Sequence, residues 1–146
     1  IPKAIEVARR LREEGGDERY VWTTGAWLVD AYLRQATPEA AAELEEAIRR
    51  GDIVWNGVPY TVESESMNRA LFEGILRLSQ RLDARFGKHT SAAKMTDVPG
   101  HTRSIVPLLS EAGIGFLHVG TNPAVSVPDV PSVCRWRDPA SGREII

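Results

Sequence analysis

Cysteine is nearly absent from this 146-residue sequence: Cys134 stands alone, which excludes an internal disulfide framework and a cysteine-rich zinc site. An excess of charge of one sign is missing too. Eighteen Lys and Arg face twenty Asp and Glu, for a formal net charge of −2. The clustered basic charge that displaces counterions from a duplex is therefore not there in bulk, and no nucleic-acid partner is expected. No apolar run approaches the ~20 residues that cross a bilayer, so no membrane partner is expected. The strand-to-helix turns lack both Gly-x-Gly-x-x-Gly and Gly-Lys-Ser/Thr, which weighs against a nucleotide-binding domain. An initiating Met is also missing. The sequence opens at Ile1, already in helical spacing, and closes on Glu144-Ile145-Ile146, which reads as a strand cut short. We expect residues 1–146 to form part of one domain, truncated at both ends.

What is present is ordinary globular composition, 42% hydrophobic and 26% charged, arranged with two alternating periods. Residues 1–14 read as an amphipathic helix with Arg9, Arg10 and Arg12 on its wet side, stopped by Gly15-Gly16. Tyr20-Val21-Trp22-Thr23 is a run of β-formers, and residues 26–34 turn helical again. Thr37-Pro38-Glu39 supplies a cap, a proline at the first helical position and an acid in the first turn; Arg49-Arg50-Gly51 ends that helix. Ile53-Val54-Trp55-Asn56 is the second strand, and Glu65 or Ser66 opens a long helix to about Phe86. Residues 92–96 form a third strand, Ile105 to Ala112 a helix, and residues 114–119 a fourth strand. Beyond it Pro123, Pro128 and Pro131 mark a loop, and residues 133–137 pair with 143–146 as a hairpin.

Strands alternating with helices in this way point to parallel β/α units. In such folds chemistry collects in loops that leave the C-terminal ends of strands, here at Thr24-Gly25, Asn56-Gly57, Thr96-Asp97 and Gly120-Thr121-Asn122. Met95-Thr96-Asp97-Val98-Pro99-Gly100-His101-Thr102 is the most informative of these segments. A carboxylate held at a strand end by a stiff Pro-Gly turn is placed as a metal ligand, a nucleophile or a general base; taken without further context, the segment more often caps the following helix or ties down its own turn.

Asp97-Val98-Pro99-Gly100-His101-Thr102, followed by Leu108-Leu109 and Ala112-Gly113-Ile114, resembles the Asp-Pro-Phe-Gly-His-Ser segment of glycoside hydrolase family 38, the α-mannosidases. Residues 20–32 look like that family's aromatic strand and Trp-containing helix. Gly51 to Gly57 resembles its Gly-x-Leu-Glu strand and following turn, and the nearest likeness is to a bacterial branch. The resemblance implies a fragment of a seven-stranded parallel β/α barrel of the glycoside hydrolase/deacetylase type, acting on a carbohydrate substrate. It also implies a bound zinc, with Asp97 as both metal ligand and covalent nucleophile of a retaining reaction. The family's His-x-Asp metal motif would precede Ile1, and its further His ligand and general acid would follow Ile146. The family's Phe is replaced by Val98, with the proline shifted by one, and Val58-Pro59-Tyr60 stands in place of Gly-Trp after Asn56.

Other residues complete the expectation. Asn56, whose amide both donates and accepts, suits a sugar hydroxyl. His101, four residues after Asp97, contacts substrate or orients Asp97, or else caps the next helix. His118 on the fourth strand reads as a core residue, His89 as solvated, and Glu63 and Glu65 as acids at a helix start. Trp22, Trp27 and Trp55 read as core, and Trp136 as the exposed tryptophan. A metal-dependent polysaccharide deacetylase is a competing reading, for which His101-Thr102 supplies half of the ligand motif; the second His would fall at Ile105. A carbohydrate-binding module without catalysis is the other.

Overall fold

A computed structural model describes residues 1–146. The chain forms five α-helices, α1 (Pro2–Glu13), α2 (Ala26–Gln35), α3 (Pro38–Arg50), α4 (Arg69–Phe86) and α5 (Ile105–Glu111). Among them run β1 (Trp22–Gly25), β2 (Ile53–Asn56), β3 (Ala92–Val98), β4 (Phe116–Thr121), β5 (Trp136–Arg137) and β6 (Glu144–Ile145). The helix signals act as their chemistry requires. Thr37 Oγ1 accepts from the Ala40 amide at 3.3 Å behind Pro38, and α3 stops at Gly51. The long helix starts later than its apolar spacing suggests. Ser64–Ser66 make a single 3₁₀ turn, and Asn68 then caps α4 by accepting from the Leu71 amide at 2.9 Å. Asn68 has a side chain that can accept from that amide; Glu65 and Ser66 are spent in the preceding turn.

The expected barrel is not formed. The strands make three two-stranded sheets: β1 with β2 and β3 with β4, both parallel, and the antiparallel β5–β6 hairpin. The physical reason lies between β2 and β3. β3 begins level with the end of β2, so a single backbone bond, Gly57 N–H to the Ala92 carbonyl at 2.9 Å, joins the two ladders. Barrel closure needs a continuous staggered ladder around the whole circumference, and here it is interrupted after two short strands. The chain end adds one further contact: Ile146 donates to the Gly115 carbonyl at 2.8 Å and accepts from Leu117 at 2.6 Å, which sets it parallel beside Phe116.

Period-two alternation sends Ile53, Trp55, Ala93, Met95 and Leu117 to the helix-covered side. Their neighbours Val54, Asn56, Ala92, Lys94, Phe116 and His118 face the other side and are half-buried or exposed. Two cores result. One joins α1, α2 and α3 to β1 and β2 around Val29, Leu44, Ile48 and Ile53; the other joins α4 and α5 to β3 and β4 around Phe72, Met95, Val106 and Leu109. His118 is thus exposed where a core residue was expected, because it alternates with buried Leu117. Trp27 is 51% exposed, one position beyond the inward-facing Ala26, whereas Trp136 packs against the second core. Arg12 stays exposed on the helix face expected for it. It pairs with Asp52, which is 6% exposed and also takes a bond from Arg50 Nε at 3.1 Å.

Gly25 sits where β1 passes the loop after β2. A Cβ there would collide with the Pro59 carbonyl oxygen, which accepts from the Trp27 amide at 3.3 Å. Gly25→Ala is therefore expected to lower the unfolding free energy by about 1–3 kcal/mol through overpacking, read from urea denaturation; an unchanged midpoint would show that the loop yields.

Candidate active site

The C-terminal end of β3 is irregular. Thr96 pairs with Gly120 and Val98 with Thr121, so Asp97 is an extra residue with no partner on β4. Its φ of +67° makes it the one non-glycine residue in the left-handed region, which costs an L-residue on the order of 1–2 kcal/mol. Aspartate and asparagine bear that cost best, since their short polar side chains bond locally. The bulge is held by close packing: a Cβ on Gly120 would stand 2.6 Å from Thr96 Cγ2, so only glycine lets β4 approach there. The outcome is that Asp97 is turned out of the ladder and exposed. Its Oδ1 accepts one hydrogen bond, from Asn122 Nδ2 at 2.9 Å. Asn122 was not singled out from the sequence, although its loop lies at the expected end of β4.

His101 follows in the same turn but engages a different element. Its Nδ1 lies 3.2 Å from Ser64 Oγ, and that hydroxyl accepts from the Thr102 amide at 3.1 Å. Ser64 is 1% exposed, so the pair clamps the 3₁₀ turn to the segment leaving Asp97. Nε2 of His101 is buried without a partner. Burial holds the imidazole below its usual value, against a pull upward from the carboxylates of Glu63 and Glu65. Those two glutamates therefore act on His101 and do not stand in the first turn of α4. No spacing signal marks Ser64 as the partner of His101; the contact spans 37 positions.

Asn56 lies elsewhere. Its Nδ2 donates to the Thr24 carbonyl at 3.4 Å, and it lines a cleft of about 340 Å³ with Thr23, Val54, Lys88, His89 and Ser91. That cleft opens where β2 and β3 part, at the N-terminal end of β3. Asp97 and His101 are not among the residues that line it. The three residues expected to share a site thus bond to three different partners: Asp97 to Asn122, His101 to Ser64, Asn56 to β1.

Zinc sites take three or more protein ligands from nitrogen, sulfur or carboxylate oxygen. No three His, Cys, Asp or Glu side chains converge at Asp97 or elsewhere in the chain, and the neighbour that meets Asp97 is an amide. The residues present do not fit a complete zinc centre; they offer one ligand. Ile105, where a deacetylase would place its second His, is buried among the apolar residues of α4, α5 and β3. No helix is long and apolar enough to cross a membrane. No family model matches the chain, and no curated protein matches it.

Two outcomes follow from this geometry. Asp97→Val forces a β-branched side chain into the left-handed region and is expected to cost at least about 1–2 kcal/mol, whereas Asp97→Gly is expected to leave the melting temperature unchanged or raised. Equal losses for the two would refute the backbone argument. For His101 the folded value lies below the ordinary 6.5. The unfolded chain then binds the extra proton as pH falls below about 6.5, and stability drops through that window. Unfolding titrations between about pH 5 and 7 are expected to show this slope in the parent and a flatter one in His101→Gln.

Proposed function

We propose that this chain carries the nucleophile of a retaining glycoside hydrolase resembling the α-mannosidases, with Asp97 as the attacking carboxylate and a carbohydrate as substrate. The observation that supports it is the strained, solvent-facing backbone of Asp97 at the C-terminal end of a parallel strand. Open α/β sheets take their ligands beyond those ends, and residues held in costly φ/ψ regions cluster at functional sites. A carboxylate that merely capped a helix would bond to a backbone amide of α5; that of Asp97 bonds to a side chain on another strand's loop.

The chemistry balances without further assumption about the sugar. Oδ2, the oxygen not engaged by Asn122, attacks the anomeric carbon. The bond from that carbon to the departing oxygen breaks, and the departing oxygen takes a proton from a general acid. Water then cleaves the glycosyl ester, returning the carboxylate and giving retained configuration. Asn56 and His101 were expected to contact sugar hydroxyls; with Asn56 in the separate cleft and His101 turned to Ser64, the proposal rests on Asp97. It extends to a divalent cation only as far as one oxygen ligand from Asp97, with every other ligand supplied from outside these residues.

The test is covalent trapping in the natural full-length protein. Activated 2-deoxy-2-fluoro- and 5-fluoro-glycosides of a panel of sugars, α-mannoside included, are expected to leave a glycosyl adduct on the peptide that contains Asp97, seen by mass spectrometry. Asp97→Asn is expected to abolish both adduct and turnover of aryl glycosides. An adduct on another carboxylate, undiminished turnover in the variant, or no adduct and no turnover across the panel would each defeat the proposal.

A further inference from the structure

Asp97 stands free of the strand ladder, so its backbone alone does not determine where its carboxylate points. One side chain does. Asn122 opens the loop after β4, with Pro123 next in sequence. Its own amide is not free to rotate: Oδ1 accepts from the Ala124 amide at 2.8 Å, and its main-chain carbonyl accepts from Val125 at 3.1 Å. An N–H of Ala124 needs an acceptor, so the oxygen of the Asn122 amide is committed to that side. The NH₂ group is thereby turned toward β3, where it meets Asp97 Oδ1 at 2.9 Å. The bulge leaves Asp97 without a partner on β4, between the levels of Gly120 and Thr121, and Asn122 reaches it from the first position after that strand.

We infer that Asn122 is a positioning residue for Asp97: its N–H binds one carboxylate oxygen and aims the other outward. The inference rests on the reading of Asp97 as nucleophile for its catalytic consequence, but the hydrogen bond itself does not depend on that reading. Asparagine suits the task because one planar group accepts from the loop and donates to the carboxylate. Aspartate at the same place would still accept from Ala124 but would have no N–H to offer, and its charge would face that of Asp97. Asn122→Asp therefore separates aiming of Asp97 from support of the loop, and Asn122→Ala removes the donor without adding charge.

In the full-length protein both variants are expected to lower kcat, and the rate of trapping by the fluoroglycoside, by roughly 10²-fold, the loss a misaimed reacting group produces. KM and the melting temperature of Asn122→Asp are expected to stay near parent values. A second measurement needs no turnover. The side-chain NH₂ signals of Asn122 in a ¹H–¹⁵N spectrum are expected to be spread apart in the parent and to collapse toward each other in Asp97→Gly. Parent-like rates in both variants, with Asp97 still trapped, would overturn the role of Asn122, as would amide signals indifferent to Asp97→Gly. A coupled amide signal with no trapping at Asp97 would support the Asn122–Asp97 bond and strike the glycosidase reading alone.

Discussion

Met95 is the residue on which the site depends. It is fully buried between α4, α5 and the two strands of the second core, and it fixes the phase of β3. With Ala93 and Met95 inward, Lys94 and Thr96 must face the other side, because the strand period is two. A regular strand would then send residue 97 back into the core, where an unpaired carboxylate could not be tolerated. The bulge resolves that conflict. It places Asp97 at φ +67° outside the ladder and lets Val98 resume pairing with Thr121. Strain at one aspartate is thus the local cost of ending a buried strand on a charged residue.

The surroundings of that residue are built from contacts distant in sequence. Asn122 reaches Asp97 across 25 positions and Ser64 reaches His101 across 37. Each belongs to a different loop on the same end of the β3–β4 pair, so the segment from Asp97 to Thr102 is braced from two sides. Asp83 does comparable work at the opposite end, where its carboxylate binds Trp55 Nε1 at 2.9 Å and both the amide and hydroxyl of Thr90 at 2.8 Å. It spans the line where β2 and β3 part, which the strands themselves bridge with one hydrogen bond.

Most of the elements could be read from periodicity and punctuation. Thr37-Pro38 and Gly51 bound α3, Gly87 closes α4, and the Asp138 to Gly142 turn joins β5 to β6. Boundaries failed where two signals competed. Glu65 and Ser66 resemble a helix start, yet Asn68 alone has its side chain on an orphan amide of α4. Trp22 and Trp55 join the first core as expected, whereas Trp136 packs where exposure was expected and Trp27 is exposed, since it follows the core-facing Ala26 by one position and a helix turns about 100° per residue.

What the order of residues determined by itself was local: which segments are helix or strand, that they alternate as parallel β/α units, and that a carboxylate ahead of a rigid turn stands at the end of β3. These depend on propensity, capping and period, which act over a few neighbouring positions. Tertiary structure alone decided that the two parallel pairs remain separate ladders, that Asn56 faces a different cleft from Asp97, and that Asn122 and Ser64 are the partners of the motif. Those outcomes follow from strand stagger and register, set by how whole helices pack on the sheet face, and no spacing within one segment encodes them.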